Sequence, residues 1–185
     1  QPQAPAIRLQ LGLVQTLQRF LPQVAIDKQN RVWVVWSQQA NGNWDLYARR
    51  FDPAAQEWSA LERLTNDPLP DINPRIASDG NGRIAVAWQG FRSGQSDIFL
   101  KSLDGERWGS DVRVSQHGAN DWEPSLAYDR SGNICVAYDS YRSGNYDIFL
   151  TKVTGGSARG DEIVVSVSPL FEARATVAVD SGNRI

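Results

Sequence analysis

Residues 74–100 read PRIASDGNGRIAVAWQGFRSGQSDIFL, and residues 124–150 repeat them as PSLAYDRSGNICVAYDSYRSGNYDIFL. A further copy spans residues 22–47, and a shorter one begins at residue 174. Each copy ends its first segment with an aspartate, and these aspartates are Asp27, Asp79, Asp129 and Asp180. Their separations are 52, 50 and 51 residues (27 to 79, 79 to 129, 129 to 180). The chain is therefore an array of one unit of about 50 residues.

Each unit divides into four short runs rich in β-branched and aromatic residues, separated by Gly, Asn, Asp and Pro. In the second unit these runs are residues 75–78, 83–88, 97–102 and 111–115. Four short strands at this period are typical of β-propeller blades. The sequence predicts an all-β protein whose blades have four antiparallel strands, labelled a to d from the centre outward. The predicted divisions are 1–21 for an N-terminal segment with the outer strand of a partial blade, 22–73 for blade 1, 74–123 for blade 2, 124–173 for blade 3 and 174–185 for the start of a fourth blade.

Strand b is the most apolar run of each unit, reading VWVVW, IAVAW and ICVAY in the three copies. It does not alternate between apolar and polar residues, which is the pattern of a strand covered on both faces. A blade packed between two neighbours meets this condition. The residues that end these runs, Trp36, Trp88 and Tyr138, are therefore expected at equivalent buried positions.

Two sets of repeated aspartates are expected to hold loops. Asp27, Asp79 and Asp129 begin the a–b turns, where an aspartate accepts hydrogen bonds from backbone amides ahead of it. Strand c opens with another repeated aspartate, and this second set is expected to bond loop backbone amides. Its members are Asp45, Asp97 and Asp147.

Composition excludes several classes of function. The net charge of −2 gives no electrostatic case for binding nucleic acid. No apolar run approaches the roughly 20 residues that span a bilayer. Cys135 lies in a strand b and is expected to be a small buried hydrophobe. With one histidine, His117, and no metal-ligand spacing, neither a metal nor a cofactor is predicted. The polar start, Gln-Pro-Gln-Ala-Pro, favours a periplasmic or secreted protein, although a truncated start would read the same.

The repeat resembles one known family. The segments LTND at 64–67, PRIASD at 74–79, RIAVAW at 83–88 and DIFL at 97–100 resemble the TolB-type propeller repeat, a WD-like repeat. The likeness covers about residues 22–152 and departs from the pattern in lacking a proline before Asp79. The Asp-box of sialidases is not matched, because its aspartate turn lies between outer strands, whereas the aspartate turns of this sequence join strands a and b. The resemblance implies a bacterial, exported protein that serves as a protein-binding platform or stands beside an enzyme domain.

The predicted arc does not close. A closed propeller needs about four to eight blades, and three blades with fragments leave apolar faces and strand edges uncovered. We therefore expect a longer polypeptide, a second copy of the chain or a different protein partner to complete the ring.

Candidate functional residues lie in the d–a and b–c loops, which share one face of a propeller. They are Asp71, Arg92, His117, Asp121, Trp122, Glu123, Tyr141 and Arg142. The cluster of Tyr141, Arg142 and Trp122 fits a recognition surface for a protein or a glycan. No nucleophile motif and no phosphate-binding glycine loop is present in the sequence. Two classes stay open. One is a non-catalytic binding or scaffold module. The other is part of a propeller hydrolase, glycosidase- or sialidase-like, whose remaining blades are missing here; paired carboxylates of a glycosidase would stand roughly 5 to 9.5 Å apart.

Overall fold

A computed structural model describes residues 19–142, 144–155 and 158–185, with the backbone alone for residues 19 and 158–161. The secondary structure of this part of the chain consists of strands, arranged as three antiparallel sheets that follow one another in sequence. The first sheet contains β1 (Arg19–Ile26), β2 (Val32–Ala40), β3 (Asn43–Asp52), β4 (Glu57–Trp58) and β5 (Glu62–Arg63). The second contains β6 (Asp71–Ser78), β7 (Ile84–Gly90), β8 (Asp97–Asp104), β9 (Arg107–Trp108) and β10 (Val112–Arg113). The third contains β11 (Asp121–Tyr128), β12 (Ile134–Ser140), β13 (Asp147–Thr154) and β14 (Ala158–Ser166).

The predicted blades are confirmed, and the outer strand is shorter than predicted in the first two. Strands a, b, c and d pair in that order, but β5 and β10 have two residues each. The reason is that side-chain hydroxyls replace backbone partners: Leu46 N donates to Thr65 Oγ1, and Ile98 N donates to Ser115 Oγ. Strands c and d therefore stay hydrogen-bonded beyond the residues of the regular backbone ladder.

The innermost strand of each blade carries a bulge at the same position. Leu21, Asn73 and Glu123 have positive φ values of 51°, 53° and 47°, and the ladder register shifts at each of them. A proline follows in all three cases, and proline has no N–H to offer the ladder. The start of strand a, before the bulge, pairs with the end of strand b, next to the b–c loop.

The a–b turns are built as predicted. Asp79 Oδ1 accepts the backbone N–H groups of Asn81 and Arg83, at 2.8 and 2.9 Å, and Oδ2 accepts Arg83 Nε at 2.7 Å. Asp27 and Asp129 make the same kind of contact with the residues four positions ahead. One carboxylate therefore closes each turn.

The core lies between the blades. Val35, Leu46 and Leu64 of the first blade pack against Trp88 and Phe99 of the second. A second cluster joins the remaining face of blade 2 to Tyr138 and Phe149 of blade 3. In every blade the aromatic residue ending the b run stacks on an aromatic residue of strand c. The pairs are Trp36 with Tyr47, Trp88 with Phe99 and Tyr138 with Phe149. The expected equivalence of Trp36, Trp88 and Tyr138 as buried residues is confirmed.

The termini differ from expectation. The N-terminal segment predicted for residues 1–21 lies outside the described residues as far as residue 18, and residues 19–21 begin β1. Residues 175–179, predicted as strand a of a fourth blade, pair with no described strand. The segment instead packs Ala175 and Val177 on Cys135, Ala137 and Leu150.

Trp88→Ala is expected to lower the free energy of unfolding by about 3 to 5 kcal/mol, because the indole is fully buried between two blades. Trp88→Phe retains most of the packing but leaves Asp71 without the indole N–H, at about 1 to 3 kcal/mol. Urea unfolding measures both, with the exposed Tyr141→Ala as a control that changes stability by about 0.5 kcal/mol or less. Equal small losses for all three variants would contradict the inter-blade core.

Candidate functional site

The b–c and d–a loops meet at one end of the blades, which we call the loop face. Gln95, in the b–c loop of blade 2, donates from Nε2 to the carbonyl oxygens of His117 and Ala119 in the following d–a connection. Ser96 N donates to Asn120 Oδ1 at 2.8 Å in the same place. The loops are therefore fastened to one another by direct hydrogen bonds.

Asp71 and Arg92 are brought together, but inside the fold. Asp71 is fully buried at the start of β6, and its Oδ1 accepts Trp88 Nε1 at 2.7 Å. Arg92 Nη2 lies 3.2 Å from Asp71 Oδ2 and 2.6 Å from Asp111, and its guanidinium lies 4.3 Å from the ring centroid of Phe99. Burial raises the pKa of Asp71, while Arg92 and Trp88 act to lower it. Both side chains are committed to holding strands together.

Asp121 and Arg142 occupy the equivalent positions in blade 3, where Arg142 bonds Glu162 instead of the buried aspartate. Asp121 is fully buried, and burial raises its pKa against the opposing effect of the hydroxyls of Ser140 and Ser115. Arg142 makes two bonds to the carboxylate of Glu162, at 2.5 and 2.6 Å, and its guanidinium lies 3.7 Å from the ring centroid of Phe149. Glu162 and the ring of Phe149 therefore hold the Arg142 guanidinium in place. The recognition surface expected of Arg142 with Tyr141 and Trp122 stays a prediction.

Glu123 lies at the inner end of the blades, next to the half-buried Trp122. Its carboxylate is 3.5 Å from Arg75 Nη2 of the neighbouring blade, and its backbone N–H donates to Gln89 Oε1 at 3.2 Å. Gln89 also accepts Asn73 Nδ2. The left-handed backbone at Glu123 thus lets an amide of blade 3 reach a side chain of blade 2.

Asp139 was not predicted as a site residue. It occupies in blade 3 the position of Gln89 in blade 2, and its two oxygens accept Arg174 N at 2.8 and 2.9 Å. Burial raises the pKa of Asp139 to about 6, the amide of Arg174 opposes this shift, and the charge of Glu123 adds to it. A carboxylate in an otherwise apolar strand b was the signal in the sequence.

Tyr141 is exposed and belongs to an aromatic cluster that only the fold assembles. Its ring centroid lies 5.1 Å from that of Tyr146, which in turn lies 4.9 Å from that of Phe171. Both contacts are edge-to-face, a favoured geometry for aromatic pairs. Tyr141 is 46% exposed and Phe171 is 68% exposed. We call Tyr141, Tyr146 and Phe171 the aromatic platform.

His117 is exposed on the loop between blades 2 and 3. It lines a cavity of about 220 Å³ together with Arg142, Glu162 and Thr151. The structure therefore places His117 apart from the aromatic platform and beside the charged pair of blade 3.

The prediction that the aspartates opening strand c bond loop backbone amides is wrong, because the partners of Asp45 and Asp97 are side chains. Asp45 Oδ2 bonds Arg63 Nη2 at 2.7 Å, and Asp97 Oδ1 bonds Arg113 Nη2 at 2.6 Å, so a strand d arginine replaces the expected backbone amides. Those arginines pair with Tyr47 and Phe99 in the ladder, next to the aspartate-bearing ends of strand c. In blade 3 a valine takes the arginine's position, and the buried Asp147 has no hydrogen-bond partner among the described residues.

Within the described residues, no group of three or more His, Cys, Asp or Glu side chains has a metal-binding arrangement. No helix in that part of the chain is long and apolar enough to cross a membrane.

Comparison with known proteins identifies a fold and no family. No protein-family model matches the chain, and no curated protein matches it significantly. Solved structures do match. A protein of unknown function from Dyadobacter fermentans superposes with a TM-score of 0.63 at 14% identity, covering 79% of this chain and 50% of that one.

Two further matches are glycoside hydrolases. A thermostable family-43 glycoside hydrolase gives a TM-score of 0.57 at 13% identity, covering 89% of this chain and 62% of that one. An endo-arabinase from Bacteroides thetaiotaomicron gives a TM-score of 0.52 at 14% identity, and the match covers 75% of this chain and 58% of that one. The chain thus spans about half to three-fifths of its neighbours' lengths. At these identities the matches show the fold, a β-propeller, and the TolB-type resemblance and the exported location stay predictions.

Asp139→Asn tests the raised pKa. Because the folded-state pKa of about 6 exceeds the ordinary 3.8, the protonated form contributes stability that is full below pH 3.8 and is lost as the pH rises through about 6. The wild type should therefore lose stability relative to the variant between pH 4 and pH 7, in urea midpoints measured across that range. Asp79→Asn is a control in which the stability difference should change with pH in the opposite direction. Burial acts to raise the pKa of Asp79, but hydrogen bonds from Arg83 and Asn81 lower it below its ordinary value. A flat difference for Asp139→Asn would contradict the assignment.

Proposed function

We propose that the chain is a binding module that recognises a glycan through the aromatic platform on its loop face, without catalysing a reaction there. The observation that carries the proposal is the exposed, edge-to-face arrangement of Tyr141, Tyr146 and Phe171. The C–H face of a sugar ring is apolar and packs on aromatic rings, and tyrosine adds a hydroxyl that hydrogen-bonds sugar hydroxyls.

The platform is held in place by the blade beneath it. Asn145 Nδ2 donates to the carbonyl oxygens of Ser168 and Leu170, both at 2.7 Å. Glu172 N donates to the Tyr146 carbonyl at 2.9 Å, and Tyr141 N donates to the Asn120 carbonyl at 3.0 Å. Rings whose backbone is fixed in advance lose little conformational entropy when a ligand binds.

The charged groups of the loop face support binding rather than catalysis. Asp71 and Asp121 are fully buried, and the two loop arginines are each paired with carboxylates. Of the loop-face carboxylates that the sequence suggested, Asp71 is held by Arg92 and Asp121 has no exposure to water, so neither of these two is available to a ligand. A glycosidase instead needs two carboxyl groups that face the scissile bond.

The aromatic platform is tested with arabino-oligosaccharides as the first probe, because a structural neighbour is an endo-arabinase, followed by a glycan array. Tyr141→Ala and Phe171→Ala should each weaken binding about tenfold, or about 1.4 kcal/mol, in isothermal titration calorimetry, without changing the thermal midpoint. Phe20→Ala removes another exposed ring, in β1, and should leave affinity unchanged. Equal affinity in all four proteins would overturn the platform.

A glycosidase is the second candidate, favoured by Glu123 beside Asp139. Two neighbouring carboxyl groups whose environments differ are the pattern of an acid and a base, and the pKa of Asp139 is raised to about 6. Hydrolysis of the same oligosaccharides that disappears in Glu123→Gln would favour this candidate over the binding module.

We also propose that a partner surface covers the face of blade 3 that points away from blade 2. Ile163, Val165 and Ile185 are each more than half exposed and line an apolar cavity of about 420 Å³. A further blade, from a second copy or a longer polypeptide, would bury this surface at about 25 cal/mol per Å². Light scattering should give a mass above 20.6 kDa for the isolated chain, and Val165→Lys should lower that mass. A sharp monomer would contradict the proposal.

A further inference from the structure

Lys101 marks a position that differs between the two inter-blade contacts. Between blades 1 and 2, its Nζ donates to the carbonyl oxygen of Leu64 and lies 2.8 Å from Asp111 Oδ1. Arg92 Nη2 lies 2.6 Å from the other oxygen of Asp111. Each oxygen of this carboxylate therefore has its own cation.

Between blades 2 and 3, the equivalent residue is Thr151. Lys101 pairs with Val86 in the b–c ladder, and Thr151 pairs with Val136 at the same register position. Threonine reaches no further than its hydroxyl, which lies 3.3 Å from Tyr138 Oη. The other components are retained: Arg142 corresponds to Arg92, Glu162 to Asp111 and Val114 to Leu64.

The position of the missing lysine is a cavity. It has a volume of about 220 Å³ and is lined by Val114, Gln116, His117, Arg142, Thr151 and Glu162. A cavity of this volume is large enough for a small organic cation. Its walls combine a carboxylate with the residue, Val114, that corresponds to the one whose carbonyl accepts the Lys101 ammonium.

The carboxylate of Glu162 has room for one more donor. Arg142 Nη1 donates to its Oε1 at 2.5 Å, and Arg142 Nη2 and Tyr138 Oη both donate to Oε2 at 2.6 Å. A carboxylate offers about four acceptor positions, so Oε1 can accept a second hydrogen bond. Oε1 is the counterpart of Asp111 Oδ1, the oxygen that Lys101 approaches.

The charges favour a cation. The first contact contains three carboxylates, Asp67, Asp71 and Asp111, and two cations, Arg92 and Lys101. In the second contact His117 takes the position of Asp67, and the carboxylates Asp121 and Glu162 lie near Arg142. Counting Asp, Glu, Lys and Arg, each contact carries a charge of −1, from two cations against three carboxylates in the first and one against two in the second, so a cation in the cavity meets a net negative charge.

We propose that the cavity between blades 2 and 3 binds the ammonium group of a primary amine, at the position that Lys101 Nζ fills between blades 1 and 2. Glu162 Oε1 and Thr151 Oγ1 accept its hydrogen bonds, and His117 lines the mouth of the site. A quaternary ammonium has no N–H to donate, so the site discriminates against it.

Methylammonium is the probe. ¹³C-methylammonium should show saturable line broadening with the wild-type chain, with a dissociation constant on the order of millimolar. Methylammonium chloride should raise the thermal midpoint above that in tetramethylammonium chloride of equal ionic strength. Glucosamine and Nα-acetyl-lysine amide then distinguish an amino sugar from a lysine side chain, and tighter binding of either supports the site and identifies its source.

Two matched substitutions exchange the residues at positions 101 and 151 between the two inter-blade contacts. Thr151→Lys supplies the ammonium internally and should raise the thermal midpoint while weakening methylammonium binding at least tenfold. Lys101→Thr opens the first contact and should lower the midpoint, with partial recovery in methylammonium. Because lysine at a buried position can disturb folding, Glu162→Gln, verified as folded by circular dichroism, is a second variant that should abolish line broadening.

The proposal is overturned if wild-type chain broadens methylammonium and tetramethylammonium signals equally. Undiminished methylammonium binding by folded Thr151→Lys or Glu162→Gln would overturn it as well, because each variant removes a necessary part of the site.

Discussion

Burial of both faces of the central strands is the constraint on which the rest of this structure depends. β7 is buried along its whole length, and its residues pack alternately on blade 1 and blade 3. A strand covered on both sides excludes water from its neighbours, so each blade is stabilised by the next one. The ring stacks, such as Trp88 on Phe99, fill the space between the sheets.

The same burial determines what the charged residues do. Asp71 and Asp121 are at the starts of inner strands with no exposure to water, and each needs partners from its surroundings. Arginines of the b–c loops supply or support those partners and cover an aromatic ring at the same time. Charged residues at a loop face are therefore not available for ligands merely because they lie in loops. The exposed rings of this face, in contrast, remain accessible.

The repeats act as internal controls for one another. Where one blade places a lysine and the next a threonine, the register of the b–c ladder at that position is the same. The c–d ladder differs, because its register shifts beside Thr151. Gln89 and Asp139 provide a second example, because Gln89 accepts the backbone N–H of Glu123 and Asp139 accepts that of Arg174. The carboxylate makes the second of these contacts sensitive to pH. Positions where a blade departs from its repeat are therefore where one inter-blade contact differs chemically from the next.

The sequence by itself determined the blade. The period of about 50 residues, the apolar b runs and the a–b turn aspartates each depend on local chemistry, and the described structure contains all of them. It did not determine partners across strands: Asp97 bonds Arg113, and Arg142 bonds Glu162, because the ladder register brings these residues together. Phe171 joins Tyr141 and Tyr146 only after the chain has crossed two further strands and returned to the loop face. Periodicity records which side of a strand a residue occupies, whereas the identity of its contacts depends on packing between distant segments, which the tertiary structure alone decides.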